Sequence, residues 1–249
     1  MSEPVGGPTA VVIDDDPDVR DLLVQVLSSA GFSVVAVDNG YAGVEAVLAQ
    51  DPDITTLDIN MPGIDGFETA RRIREHSDTY LLLITALTEE ADAILGFSVG
   101  ADDVVTKPFR ARELRARVLA AQRRRPREGA PDAPVEAAKP LIGNSGLVVN
   151  RATHSVTINA HPVLLTRTEF DLLATLLEAA PAVRSKIELV SALRPGHRST
   201  SHTSEADERA IETHMTNLRR KLGDNAAEPR YIETLRAVGY RAIVPATSV

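Results

Sequence analysis

Residues able to handle phosphate recur at spaced points in the first half of the chain: Asp14 and Asp15, then Asp58, Thr85, and Lys107 followed by Pro108. Each stands at the end of a short apolar run. Two carboxylates joined by a third make an all-oxygen site for a hard divalent cation. Such a cation neutralises charge on the oxygens of a transferring phosphoryl group. A carboxylate beside it can attack phosphorus and become an aspartyl phosphate. A hydroxyl and an ammonium would then take the remaining oxygens. Taken singly, each residue has a plainer role. An acid after a strand often caps the next helix. Asp58 before Asn60, Pro62 and Gly63 suits a turn, and Lys107 suits a solvated surface. Five matching positions at four strand ends are what point to phosphoryl chemistry.

The elements that would position these residues are legible in the same stretch. Apolar runs at 10–13, 33–37, 54–57, 80–84 and 103–106 alternate with helical patterns such as Val19, Leu22, Leu23, Val26 and Leu27. That spacing is i, i+3, i+4, i+7 and i+8, one face of an α-helix. Pro17 suits a helix start and Gly31 a helix stop. Five repeats of strand then helix predict an α/β fold, a doubly wound five-stranded parallel sheet with helices on both faces. Such sheets carry their sites at the carboxyl ends of the strands.

Residues 123–140, RRRPREGAPDAPVEAAKP, are rich in Pro, Ala and charge without apolar period, and read as a linker between a domain over 8–122 and another over 141–247. The second half changes style. Strand-like runs at 146–149, 155–158 and 163–165 precede helices announced by capping signatures at Thr166/Glu169 and Ser185/Glu188. A long helix is expected over 205–222, closed by Gly223, and two strands at 231–235 and 240–244 joined by a turn containing Gly239. Helices followed by a terminal hairpin suggest an α+β winged helix-turn-helix. In the long helix Ile211, Met215, Leu218 and Leu222 share a stripe. Arg209, Thr213, Thr216 and Arg220 lie opposite, a face fit for phosphates and base edges.

Charge divides the same way. Residues 1–122 hold 9 basic and 21 acidic side chains, and residues 141–249 hold 13 and 11, within a net charge of −8. The asymmetry suggests different partners for the two halves, with chance surface variation as the plainer reading. The absence of Cys excludes disulfides and thiolate metal sites. No apolar run reaches the roughly 20 residues of a membrane span, and the first nine residues lack a signal-peptide pattern. A cytoplasmic protein without membrane contact is expected.

The segments IDDDPDVR (13–20), LDINMPGIDG (57–66), ITA (84–86) and TKPF (106–109) resemble the receiver domain of two-component response regulators. LTRTEFDLL (165–173), RAIETHMTNLRRKLG (209–223) and PRYIETLRAVGYR (229–241) resemble the winged-helix output domain of the OmpR/PhoB type. The resemblance implies a phosphorylation-regulated transcription factor, not an enzyme beyond its own phosphoryl transfer and dephosphorylation. It implies that Asp58 accepts phosphate from a sensor histidine kinase. Mg²⁺ would be held by Asp14, Asp15, Asp58 and the carbonyl of Asn60, with Thr85 and Lys107 on the phosphoryl group and a cis Lys107–Pro108 peptide. Arg209, Thr213, His214, Asn217, Arg219, Arg220, Thr234 and Arg236 would approach double-stranded DNA. Asp103, Glu113 and Arg117 would serve a homodimer formed on activation. RNA polymerase is the further partner it implies.

The chain departs from the family pattern in places. Val104 stands where an aromatic switch residue is usual, and Ala93 where a basic dimer partner is common. Asn217 replaces a frequent basic residue, Ala237 a wing Gly, and Arg194 a Trp; the stretch 195–207 is longer than usual. Val104 motivates an alternative, a phosphorylation-independent DNA-binding regulator. A Mg²⁺-dependent phosphohydrolase is a third reading of the carboxylate pocket.

Overall fold

The computed structural model describes residues 7–86, 90–122, 140–193 and 205–245, and only the backbone of 90–93. The expectations for 123–139, Arg194 and most of 195–207 lie outside these residues, as does the side chain of Ala93. The chain divides into two compact units, 1–124 and 125–249.

In the first unit the strands are β1 (Thr9–Ile13), β2 (Ser33–Val37), β3 (Ile54–Asp58), β4 (Tyr80–Thr85) and β5 (Asp103–Thr106). Helices α1 (Pro17–Ser29), α2 (Gly40–Gln50), α3 (Gly66–Arg74), α4 (Glu90–Ser98) and α5 (Ala111–Gln122) follow them in turn. The strands pair in parallel in the order β2-β1-β3-β4-β5. Alternation along each strand fills both faces. Ala10, Val12, Leu82 and Ile84 pack with Leu23, Leu27, Leu114 and Val118 on one side. Val11, Ile13, Leu57, Leu81 and Leu83 pack with Val47 and Ile73 on the other. Burial on both faces is why these strands read as nearly unbroken apolar runs. The order reverses between β1 and β3, which opens a crevice at their carboxyl ends.

Local capping fixes where the helices begin. Asp16 caps α1, its side chain accepting from the amides of Asp18 and Val19, with Pro17 in the first turn. Asp65 caps α3 through the amide of Glu68. Each cap removes orphan donors worth about 1 kcal/mol. The Lys107–Pro108 peptide is cis, as is Ala180–Pro181.

The second unit opens with an antiparallel sheet of β6 (Leu141–Ile142), β7 (Leu147–Asn150), β8 (Ser155–Ile158) and β9 (His161–Pro162). Helices α6 (Arg167–Ala179), α7 (Lys186–Leu193) and α8 (Glu205–Leu222) follow, then the hairpin β10 (Ile232–Leu235) and β11 (Gly239–Ala242). Leu172, Leu173, Leu176, Leu189, Ile211, Met215, Leu218, Ile232 and Tyr240 form one core. Both capping signatures hold. Thr166 and Glu169 complete a reciprocal box on α6, and Ser185 and Glu188 exchange the same bonds before α7.

Two strand expectations are corrected and one further strand is found. Residues 163–165 are not a strand: β9 ends at Pro162, and the backbone turns into the Thr166 cap. Their apolar run splits, with Leu164 exposed and Leu165 buried. β6 had no expected counterpart. Gly239 lies in β11 and not in the turn, where Ala237 takes the left-handed conformation at φ 61°.

Candidate functional site

The carboxyl edge of the parallel sheet gathers the acidic residues. Ligand oxygens of Asp14, Asp15 and Asp58 lie within 4.8 Å of one another. Asp14 is fully buried, Asp58 is 3% exposed, and Asp15 is open to solvent. Thr85 is buried at the end of β4, and Asn60 is exposed on the β3–α3 loop. The Lys107 ammonium reaches across from the loop after β5, 3.0 Å from Asp58 Oδ1 and 3.2 Å from Asp14 Oδ2. The contact to Asp58 is an ion pair without hydrogen-bond geometry, so buried Asp58 Oδ1 accepts no hydrogen bond.

The backbone is built to hold this cluster. The amide of Asp16 donates to Asp14 Oδ1, and Arg20 donates to the carbonyls of Asp14 at 2.8 Å and Asp15 at 3.4 Å. Gly66 starts α3 directly against the end of β3. A Cβ there would lie 2.3 Å from the Asp58 carbonyl oxygen and 2.6 Å from Ile59 Cα. Arg20 and Gly66 had no assigned role in the sequence. The signal for Arg20 was its place one turn into the helix that follows the acidic pair.

Electrostatics follow from burial. Desolvation pushes the Asp14 carboxyl above the usual carboxylate range, with Lys107 opposing and Asp58 adding. Burial would lower the Lys107 ammonium, yet Asp58 and Asp14 outweigh it and hold it above its ordinary value. Three carboxylates facing one ammonium leave excess negative charge in an all-oxygen donor set. That donor set, in which Asp58 Oδ1 is held only by its ion pair with Lys107, suits a hard divalent cation, Mg²⁺ among them.

Asp103, Glu113 and Arg117 meet within one chain. Arg117 grips Asp103 with contacts of 2.7 and 2.9 Å and Glu113 at 3.2 Å. Its guanidinium is held further above its ordinary pKa by these carboxylates, against the pull of burial.

On α8 the outer face is as expected: Thr216 and Arg220 are exposed, and Arg209 and Thr213 are half-exposed. The Glu212 carboxylate beside them is bound by Lys186 from α7. His214 and Asn217 are largely buried, at 3% and 8% exposure, which suits packing beside the apolar stripe more than contact with DNA. Arg219 turns inward as well, donating to the Ile232 carbonyl at 2.9 Å and to Thr234 Oγ1 at 2.6 Å. Thr234 and Arg236 are exposed on the hairpin.

Residues 10–119 match the family described as response regulator receiver domain, and residues 160–242 that described as transcriptional regulatory protein, C terminal. DNA-binding response regulator MtrA of Mycolicibacterium smegmatis is 33% identical over 235 residues, 94% of this chain and 96% of that protein. Transcriptional regulatory protein AfsQ1 of Streptomyces coelicolor is 34% identical over 238 residues, 96% and 99% of the two chains. The chain is a response regulator of the OmpR/PhoB family. Among solved structures, a mutant of RitR shares its fold at TM-score 0.73 and 21% identity, over 96% of this chain and 100% of that one.

In this response regulator the receiver holds the acidic cluster and the output domain holds α8 and its hairpin. Among the described residues no helix is long and apolar enough to cross a membrane. Val104 is half-buried and packs with the core that includes Leu57 and Leu83.

Proposed function

We propose that this response regulator is a cytoplasmic transcription factor whose Asp58 is phosphorylated by a sensor histidine kinase, and whose output domain binds promoter DNA. The observation that carries the reading is the buried Asp58 carboxylate flanked by two further carboxylates and by the Lys107 ammonium at 3.0 Å. Asp14, Asp15 and Asp58, with the carbonyl of Asn60, would hold Mg²⁺. When bound, that ion supplies charge neutralisation for the incoming phosphoryl oxygens. One oxygen of Asp58 forms the new P–O bond as the bond to the donor breaks. Lys107 and the Thr85 hydroxyl then take the remaining oxygens. Arg209, Thr213 and Arg220 on α8, with Thr234 and Arg236 on the hairpin, form the face offered to double-stranded DNA. Homodimerisation on activation, through the surface bearing Asp103, Glu113 and Arg117, would raise affinity by joining two DNA-binding domains. RNA polymerase is the downstream partner.

Asp58→Asn keeps the shape of the side chain and removes the nucleophile. Labelling of the full chain by a small phosphodonor with Mg²⁺ is expected to disappear in this variant; labelling at the wild-type rate would reject Asp58 as acceptor. Val104 favours a second reading, because a half-buried valine has no ring to move when Thr85 engages phosphate. In that reading DNA binding is independent of phosphorylation, and DNA affinity measured with and without phosphodonor separates the two.

A further inference from the structure

We infer that Arg219 is a positioning residue that locks the hairpin onto α8, and not itself a contact to DNA. The inference rests on the DNA-binding reading and assigns the roles within that face. Arg219 leaves α8 on the side next to the buried stripe of Leu218 and Leu222. Its side chain is only 13% exposed and its Nε lies 4.0 Å from the Asp224 carboxylate, which is itself fully buried. One guanidinium nitrogen donates to both the Ile232 carbonyl and Thr234 Oγ1. The guanidinium also lies over the Tyr240 ring, 5.8 Å from its centroid. Ile232 and Thr234 belong to β10 and Tyr240 to β11, so one side chain touches both strands of the hairpin.

Asp224 completes the brace. Its carboxylate accepts from the amides of Arg230 at 2.7 Å, Tyr231 at 3.4 Å and Ile232 at 3.0 Å, which fixes the loop leading into β10. The guanidinium is therefore engaged inside the domain: withdrawing it to reach a phosphate would break its bonds to the Ile232 carbonyl and Thr234 Oγ1 and remove the cation nearest the Asp224 carboxylate. Thr234 is left in a different position. Its oxygen accepts from Arg219, so its own proton remains available for a phosphate oxygen. Arg236, two residues on and exposed, is carried at whatever distance from α8 the brace dictates.

A direct contact and a brace differ in how they combine with Arg236. DNA binding by the full chain is measured against a duplex that the wild type selects from a random-sequence pool, for Arg219→Gln, Arg236→Ala and the pair. Arg219→Gln is expected to weaken binding about tenfold. In the Arg236→Ala background it should weaken binding by less than about twofold, because the hairpin contact it positions is already lost. The slope of log affinity against log salt should be the same for Arg236→Ala and the double variant. Additive losses, with the slope falling by about a further 0.9 as expected for one phosphate contact, would overturn the proposal. Arg219→Lys, which keeps the charge but not the fork, should behave like Arg219→Gln; full rescue by Lys would also overturn it. Amide hydrogen exchange of the free protein gives a readout without DNA. Exchange at Glu233 and Arg241, which face each other across the hairpin, should speed up in Arg219→Gln while α6 stays protected, and unchanged hairpin exchange would reject the brace. If the wild type selects no duplex at all, the DNA-binding reading fails, and the exchange result still decides the brace.

Discussion

Burial decides how Asp14 behaves. Its carboxyl is raised by desolvation and its charge is offset by Lys107. A folded-state pKa raised above the unfolded value favours the fold at low pH, and that contribution is lost as pH rises through the raised value. At neutral pH the metal-free site therefore carries an unfavourable charge that a cation would relieve. With Mg²⁺ bound as proposed, protons would compete with it for this carboxylate and would win at a higher pH than at an ordinary aspartate. Thermal denaturation across pH should show the largest Mg²⁺ stabilisation near neutrality. The gain in Tm should shrink as pH falls, starting above the usual carboxylate range. A Mg²⁺ effect that is constant down to the ordinary aspartate pKa would contradict this account. The participants themselves were legible in the sequence, since strand ends and acidic types coincide. Their supports were not. The Arg20 bonds to two carbonyls and the close approach of Gly66 depend on three-dimensional proximity that spacing does not encode.

At the scale of elements, periodicity placed the five parallel strands, α1, α6 and α8 but was less sure about which face each residue takes. The stripe of Ile211, Met215, Leu218 and Leu222 is buried as its spacing demands. His214 lies three residues after Ile211 and four before Leu218, so its place beside the stripe left packing as open as DNA contact, and its burial suits packing. Arg219 is different. Its long stem lets a residue at the edge of the stripe bend in or out, and its inward choice follows from partners on β10, far along the chain. The hairpin turn was misplaced because Gly239 suggested a turn, whereas its backbone abuts another strand-like segment. A Cβ at Gly239 would meet the Arg184 carbonyl oxygen at 2.0 Å, where Arg184 and Tyr240 exchange backbone hydrogen bonds. The left-handed residue is Ala237 instead, at φ 61°. Left-handed backbone costs a residue with a Cβ about 1 kcal/mol, while glycine adopts it freely at some entropic cost. Ala237→Gly is therefore expected to stabilise the hairpin by roughly 0.5 kcal/mol net, read as a small rise in denaturation midpoint with unchanged m-value. A clear loss of stability would mean that the turn does not hold this conformation in solution.

Across the whole molecule, charge and function divide along the same line. The first 122 residues carry 21 acidic against 9 basic side chains, while residues 141–249 carry 13 basic against 11 acidic. Each unit has its own core, one around the parallel sheet and one around α6 and α8. Each can therefore bury its apolar surface alone. DNA attracts the output domain and repels the receiver at any separation shorter than the Debye length, about 10 Å at 0.1 M salt and roughly 30 Å at 0.01 M. The acidic receiver should thus act as an electrostatic brake on unspecific binding. A fragment of residues 140–249 is expected to bind mixed-sequence duplex DNA more tightly than the full unphosphorylated chain at low salt, by about tenfold. The difference should close as salt rises, because screening removes long-range repulsion before it removes direct phosphate contacts. Fluorescence anisotropy of labelled duplex over a salt series measures both slopes. Equal affinities for fragment and full chain at low salt would show that receiver charge has no such effect. A gap that persists unchanged at high salt would point to steric masking of the DNA-facing residues, since steric exclusion is not screened.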